Sequence, residues 1–578
     1  MIRTLNILDY VLLILLLLTS AVIGIMFGFF KAKKSSAKEF LLANRKIGVF
    51  PVALSLTASF LSANTILGTP SEIYMNGTMY CYSAISLTIA ATITAFVFMP
   101  KFREMNCTST YEYLEKRFDR TIRVSVSLVF SVLMLISMAI VLYGPALALN
   151  QTTGLNIWLS VFSIGIICTF YSSVGGMKAV IWTDVLQVSI MLIGLLSAII
   201  QGLITLGGFG PVFSIASKGG RIQFNNVSID PRVRHTIWSI VIGGTLNILS
   251  NLSFNQTQVQ RYMCVRTTRD AKQALFINAI CSICIILLSC FIGIIIYAYY
   301  ANCDPFTSKF ISSIDQIFPY FVMEVLSNIS GLPGIFLACV FSGSLSTLSS
   351  GLNSLAAVII EDIYKGLLRR KLSDERQGFI SKIFSIILGI VVILLTYIVS
   401  YFGPILNATI SLFGALQGPI MGVFFLGFFF PRANHRGCLV GFISGIVISL
   451  WIFIGSQITS NQRKSERLSL STTNCSLSIN ETIISFSTPV NKSNIMFNFY
   501  SVSYMWYSFI AVSTVLIVGL IVSYLTRPLK PHEIDRKLII TIDDICCCCL
   551  PNTVRHWFRC GIDYENDLDD RVYTNFIE

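Results

Sequence analysis

The residues with the most chemical potential in this chain are hydroxyls gathered where apolar side chains would be expected. The stretch SGSLSTLSSGLNS, residues 342–354, lies between the apolar runs GLPGIFLACVF and LAAVIIEDI. Its Gly343, Ser346, Thr347, Ser350 and Ser354 fall at i, i+3, i+4, i+7 and i+11, one face of a helix. Such a stripe can ligate a hard cation, and it can equally let two helices pack closely. A second stretch, FPVALSLTASFLSANTILGTPSE, carries Ser55, Thr57, Ser59, Ser62, Asn64 and Thr65 before Gly68 and Pro70. Gly and Pro can interrupt the helical ladder and free carbonyl oxygens. Freed carbonyls facing hydroxyls make an all-oxygen cage, and without a carboxylate that cage suits a monovalent cation better than Ca²⁺ or Mg²⁺. Small-residue packing would use the same Ser, Thr and Gly, but Asn64 and Thr65 at mid-depth favour a lined site. A third stretch, PILNATISLFGALQGPIMGVFFLGFFFP, places Asn407, Thr409, Ser411 and Gln417 ahead of Gly418-Pro419. It is expected to be a further discontinuous helix that completes a central cavity. Asp184, in GGMKAVIWTDVLQ, is the clearest ionisable group inside an apolar run. It is either functional or a carboxylate near a helix end paired with Lys178.

The elements that position these residues are membrane spans. Of 578 residues, 54% are hydrophobic and 12% charged, with a mean hydropathy of +0.72; soluble domains carry about one-quarter charged residues. A span needs roughly 20 apolar residues. That length predicts an all-α polytopic protein with about thirteen spans: 8–30, 47–70, 81–100, 124–148, 156–174, 179–205, 236–254, 273–300, 332–360, 383–402, 405–430, 438–457 and 503–525. The transmembrane domain covers 1–530, with a polar outer loop at 458–502 and a tail at 531–578. The net charge of +13 does not indicate nucleic acid, because the basic residues sit in short blocks between apolar runs. With the N-terminus outside, 32 of the 42 Lys and Arg fall in inner segments, so the positive-inside rule places the tail in the cytosol. The first run has no small-residue cleavage site and too long an apolar core for a signal peptide.

Sequons fall on both sides in this orientation, with Asn106 and Asn255 inside, but three share the outer loop, and Asn226, Asn474, Asn480 and Asn491 are the candidate acceptors. Cys546, Cys547, Cys548 and Cys549 form a juxtamembrane run suited to palmitoylation and unsuited to one tetrahedral metal ion. Of the sixteen cysteines, Cys81, Cys303 and Cys475 fall outside, where two of them could pair. All four His (His235, His435, His532, His556) lie at or beyond span ends, so the abundant serines have no intramembrane base and an enzyme is not expected.

SLTASFLSANTILGTPSEIY, GGMKAVIWTD, NQTQVQRY at 255–262, GLPGIFLACVFSGSLSTLSSGLNSLAAVIIED and GPIMGVFFLGFFFP together resemble the sodium/solute symporter family, over about residues 8 to 530. The PSExY and SGSLST forms resemble the branch of sodium-coupled monocarboxylate, multivitamin and iodide transporters. The resemblance implies a leucine-transporter-like inverted repeat of five plus five helices, with core repeats at about 47–205 and 236–430. It implies a sodium site from the carbonyls of Ala58, Leu61 and Gly343 and the hydroxyls of Ser346 and Thr347, tuned by Asp184. It implies substrate contacts from Thr65, Asn251 and Thr409, with Trp238 nearby, beside the Asn64 and Asn407 already noted. The expectation is a plasma-membrane symporter that couples Na⁺ to a small organic monoanion and needs no cofactor. An iodide carrier, a sensor or a channel on the same scaffold are the alternatives; iodide carriers have Gln where this chain has Thr65.

Overall fold

The computed structural model describes residues 5–26, 43–105, 109–367, 373–401, 404–459, 468–473, 475, 499–530 and 533–540. Asn474, Asn480, Asn491 and Cys546 to Cys549 lie outside the described residues. Among those described, the chain is helical, with one isolated bridge between Ile47 and Val265 and no strand. Ten helices are long and apolar enough to cross a membrane, or up to eleven with one bent pair counted as a span.

α1 (Ile7–Ile25) precedes the bent pair α2 (Val49–Phe60) and α3 (Ala63–Asn76), which meet at 54°. The break does not sit at Gly68 and Pro70, as the sequence suggests; α3 runs through both. It falls at Leu61 and Ser62, which are extended, and Ser62 Oγ caps α3 by accepting from Asn64 N at 3.2 Å. Gly68 serves a close approach instead, since a Cβ there would lie 2.6 Å from the Cβ of Leu406.

α4 (Thr78–Glu104), the short α5 (Glu112–Arg117) and α6 (Arg120–Thr153) follow. The expected spans 156–174 and 179–205 are joined without a loop in α7 (Ile157–Leu206), which bends at Gly176, φ 61° and ψ −168°, a conformation open only to glycine. After α8 (Phe209–Lys218) comes a second broken helix that the sequence reading took for a span and an inner loop: α9 (Ser239–Phe254) and α10 (Gln256–Tyr262) meet at extended Asn255. Asn255 Oδ1 caps α10 by accepting from Thr257 N at 2.9 Å. α11 (Thr268–Tyr299), α12 (Ile317–Val325), α13 (Leu332–Tyr364), α14 (Asp374–Val399), α15 (Ile405–Phe429), α16 (His435–Ile458) and α17 (Tyr504–Leu525) complete the chain. α15 is continuous through Pro419, contrary to the expected discontinuity. The two interruptions therefore open α2/α3 and α9/α10.

α13 is buried along nearly its whole length and packs on α7, α6 and α2. Its N-terminal N–H groups are satisfied from α1, where Asp9 Oδ1 accepts from Gly331 N at 3.0 Å and Gly334 N at 2.9 Å. In the connecting loops Cys303 pairs with Cys475 and Cys81 stays a free thiol. Arg221 holds residues 468–473 beside α3, donating to both Ser469 O (2.9 Å) and Tyr74 O (2.8 Å).

The loop before α12 carries Asp315, whose Oδ2 accepts from Ile405 N at 2.9 Å and caps α15. Burial pushes its carboxyl up to about 6; the Ile405 N–H opposes that rise and the Glu72 carboxylate adds to it. A raised pKa means that the folded chain holds the proton more tightly than the unfolded one. The stability it contributes is full below the unfolded value of about 4 and is lost as pH rises through about 6. Asp315→Asn is expected to raise the melting temperature at neutral pH and to flatten its dependence between about pH 4 and 7. Unchanged pH dependence of melting would contradict this.

Candidate functional site

The broken helix and the hydroxyl stripe meet. A Cβ on Gly343 would lie 2.9 Å from Ala63 N and 3.1 Å from the carbonyl carbon of Ser62, so α13 touches the break itself. Ala58 and Leu61 are buried there. Thr347 Oγ1 donates to Gly343 O at 3.0 Å and faces the cavity beside Ser59, Leu61 and Ser62. Ser346 Oγ is buried, makes no hydrogen bond of normal geometry, and faces the Asp184 carboxylate. Gly343 thus lies against the turn at Leu61 and Ser62, Thr347 faces the cavity beside it, and Ser346 turns toward Asp184.

Asp184 does not pair with Lys178. Its partner is Arg261 of α10, with Nη2 3.1 Å from Asp184 Oδ2 and both side chains fully buried. Ser55 Oγ donates to Asp184 Oδ2 at 2.5 Å and accepts from Arg261 Nε at 2.7 Å. Arg261 also donates to Ser350 Oγ and to Thr257 O, and Ser350 Oγ donates in turn to Ser346 O at 2.5 Å. One guanidinium therefore ties α2, α7 and α13 together one turn from the cage. Sequence reading missed it because Arg261, at the end of NQTQVQRY, was counted with an inner loop.

The break and Thr347 border a cavity bounded by α2, α3, α4, α6, α9, α10, α11, α13, α15 and α17. Asn64, Thr65, Asn251 and Thr409 line it, and Asn64 Nδ2 donates to Thr409 Oγ1 at 2.8 Å. Trp238 does not reach the cavity; it is 46% exposed and donates from Nε1 to Val227 O. Asn407 also lies off the lining, on the other face of α15 from Thr409, where its Oδ1 accepts from Ser411. Asn247, Asn255, Gln258 and Tyr80 line the cavity and were not anticipated. Asn247, Asn251 and Asn255 recur at i, i+4 and i+8, a spacing that puts three amides on one face and was legible in the sequence. Among the described residues, the lining holds no Lys, Arg, His, Asp or Glu. Neutral amides, hydroxyls and the N-terminal end of α3 are the groups available to hold a charged solute.

Candidate acceptor Asn226 lies in the loop before α9, half-buried, with its Nδ2 donating to His235 O at 3.1 Å.

A profile of the sodium:solute symporter family matches residues 40–445. The chain is 41% identical over 549 residues to sodium-coupled monocarboxylate transporter 1 of Xenopus laevis, covering 93% of this chain and 88% of that one. It is 42% identical to the human protein of the same name over 93% of this chain and 90% of that one. It is also 42% identical to the sodium-dependent multivitamin transporter of Oryctolagus cuniculus, over 92% of this chain and 85% of the relative. Among solved structures, the outward-open, substrate-bound state of a Na⁺-coupled sialic acid symporter shares the fold at a TM-score of 0.72 and 24% identity, over 91% of this chain and 99% of that one. The paired broken helices and these matches place the chain in the sodium:solute symporter family.

Proposed function

We propose that this protein couples the entry of Na⁺ to the uptake of a small organic monoanion, a monocarboxylate or a carboxylate vitamin, by alternating access at the cavity described above. The observation that carries this reading is the contact of Gly343 with the Leu61–Ser62 break, beside which Thr347 faces an uncharged cavity; on this reading carbonyls at the break and the Ser346 and Thr347 hydroxyls coordinate the ion. Oxygen ligands without a carboxylate suit Na⁺, and the Asp184–Arg261 pair one turn away tunes the field at that point. With Na⁺ bound, its charge adds to the α3 N-terminus to hold a carboxylate that no basic side chain neutralises. One charge crossing 100 mV supplies about 2.3 kcal/mol, and no covalent chemistry is required. Thr65, Asn64, Asn251 and Thr409 form the substrate-facing set.

The orientation is N-terminus outside and tail in the cytosol, at the plasma membrane, which the asymmetry of Lys and Arg supports. On that orientation Asn226 is open to glycosylation and the Cys546–Cys549 run to palmitoylation.

The test is an uptake panel of lactate, nicotinate, pantothenate, biotin and iodide in expressing cells, with Na⁺ and with choline in its place. Sodium-dependent uptake of one of the organic anions is the expected result. Uptake unchanged in choline removes the coupling, and sodium-dependent uptake of iodide alone reassigns the substrate. Thr347→Ala removes one cage oxygen and is expected to raise the half-saturating Na⁺ concentration by about tenfold at unchanged surface level, the scale of one hydrogen bond to a charged group. Equal loss of surface level and uptake would return Thr347 to a packing role.

A further inference from the structure

The segment that follows α17 is docked on the transport core. Leu538, Ile539 and Ile540 are buried, at 7%, 2% and 4% exposure. This segment stands at the far end of the molecule's backbone path, after the last span, where a solvated tail would be the default. A backbone bond and a side-chain bond hold it. Ile540 N donates to Phe428 O at 2.9 Å, and Tyr113 Oη donates to Leu538 O at 3.0 Å.

Both anchor points belong to one aromatic cluster. Tyr113 of α5 stacks on Phe428 of α15 with centroids 4.1 Å apart, and on Phe424 at 5.7 Å. Phe424 stacks on Phe254 at 4.6 Å, and Phe102 of α4 meets Phe254 at 6.4 Å. Phe254 is the last residue of α9, directly before the Asn255 break that lines the cavity. Along α15 the cavity ends at Phe413, and Phe424 and Phe428 follow three and four turns later. The cluster therefore lies between the cavity and the face on which the tail docks.

The end of α15 explains why the tail seats there. The last carbonyls of a helix have no partner within it. Arg117 donates to Gly427 O, Phe430 O and Pro431 O at 3.0, 3.0 and 3.2 Å, and Phe428 O accepts from Ile540 N. The apolar side chains of Leu538 and Ile540 join the core at the same place.

We infer that residues 538–540 are a latch: docked, they hold the aromatic cluster closed beneath the cavity, and their release permits the cavity to open toward the tail side. Opening on that side must separate Phe254, at the α9/α10 break, from Phe424 of α15. The latch ties α5 to α15 on one side of that seam and packs on α4, whose Phe102 meets Phe254 on the other. A modification or partner that captures the tail thereby sets the fraction of carriers open on that face. The inference deepens the transport reading and rests on it.

The experiment measures opening directly, with no transport required. Ser137 lines the cavity and its hydroxyl bonds only its own helix at Met134 O. In a Ser137→Cys carrier, a membrane-impermeant thiol reagent is applied from the tail side without Na⁺, and modification of the residue-137 peptide is followed by mass spectrometry. A chain ending at Lys530, and separately Ile540→Pro, which removes the donor to Phe428 O, are expected to label about fivefold faster or more, the scale of one hydrogen bond's net contribution. Tyr113→Phe keeps the ring stack and removes the bond to Leu538 O, and is expected to accelerate labelling by a smaller factor. Wild-type labelling rates in the truncated chain and in Ile540→Pro overturn the latch. Should either fail to fold, Tyr113→Phe decides: faster labelling supports the latch and an unchanged rate overturns it. Sodium-driven uptake by the unmodified carrier tests the transport reading separately, so failure of one is distinguishable from failure of the other.

Discussion

Arg261→Ala is expected to remove the carrier from the cell surface and to abolish uptake. Arg261 and Asp184 have no side-chain exposure, and among the described residues the guanidinium is the only cation bonded to that carboxylate. Deleting one partner of a buried pair costs about 3–5 kcal/mol, because the other charge is left without compensation. Native chains hold only about 5–15 kcal/mol in total, so this loss is enough to divert most of the protein to degradation. Three helices also lose their common tie, since Ser55, Asp184 and Ser350 all bond this side chain. The double change Asp184→Asn with Arg261→Gln removes both charges together and is expected to restore most of the surface level. If uptake in that double variant returns with a weakened Na⁺ dependence, the pair tunes the cage as well as the fold. Surface biotinylation and thermal melting in detergent are the measurements, and a wild-type melting temperature for Arg261→Ala would refute the argument.

Gly343→Ala is expected to act in the opposite manner, leaving the fold and spoiling the cage. The added methyl would lie 2.9 Å from Ala63 N and 3.1 Å from both Ser62 C and the end of Ile66. Two of these neighbours are backbone, so α13 and the break must move apart. Overpacking costs about 1–3 kcal/mol, while alanine in place of glycine within a helix returns about 1 kcal/mol, so the net change in stability is small. Ligand geometry is less forgiving, as a built site tolerates displacement of about 0.5 Å. The half-saturating Na⁺ concentration is therefore expected to rise by about tenfold or more at near-normal surface level. Gly210→Ala is the control, because nothing lies within 4 Å of a Cβ at that position. A Gly343→Ala carrier with unaltered Na⁺ dependence would show that break and stripe do not share an ion.

Much of this arrangement was written in local sequence. Apolar run length and the Lys and Arg bias determined a polytopic helical chain, because hydrocarbon admits only backbones that satisfy their own hydrogen bonds. The i, i+3, i+4, i+7 spacing put Gly343, Ser346, Thr347 and Ser350 on one face whatever they were to meet. Sequence did not determine the helix breaks. Gly68 and Pro70 read as the interruption of the first broken helix, yet α3 passes through them and the chain opens at Leu61 and Ser62, where Gly343 of α13 presses in. Nor did local composition separate Asn407 from Thr409, two residues apart on α15, or distinguish the functional partner of Asp184. Lys178 was its neighbour in sequence, and Arg261, 77 positions away, was its neighbour in space. Short-range pattern governs which face a residue occupies; which face lies opposite is decided by packing between distant segments. The cage, the buried pair and the docked tail all exist only at such contacts, so the types of chemistry were legible in the sequence and their partners only in the folded chain.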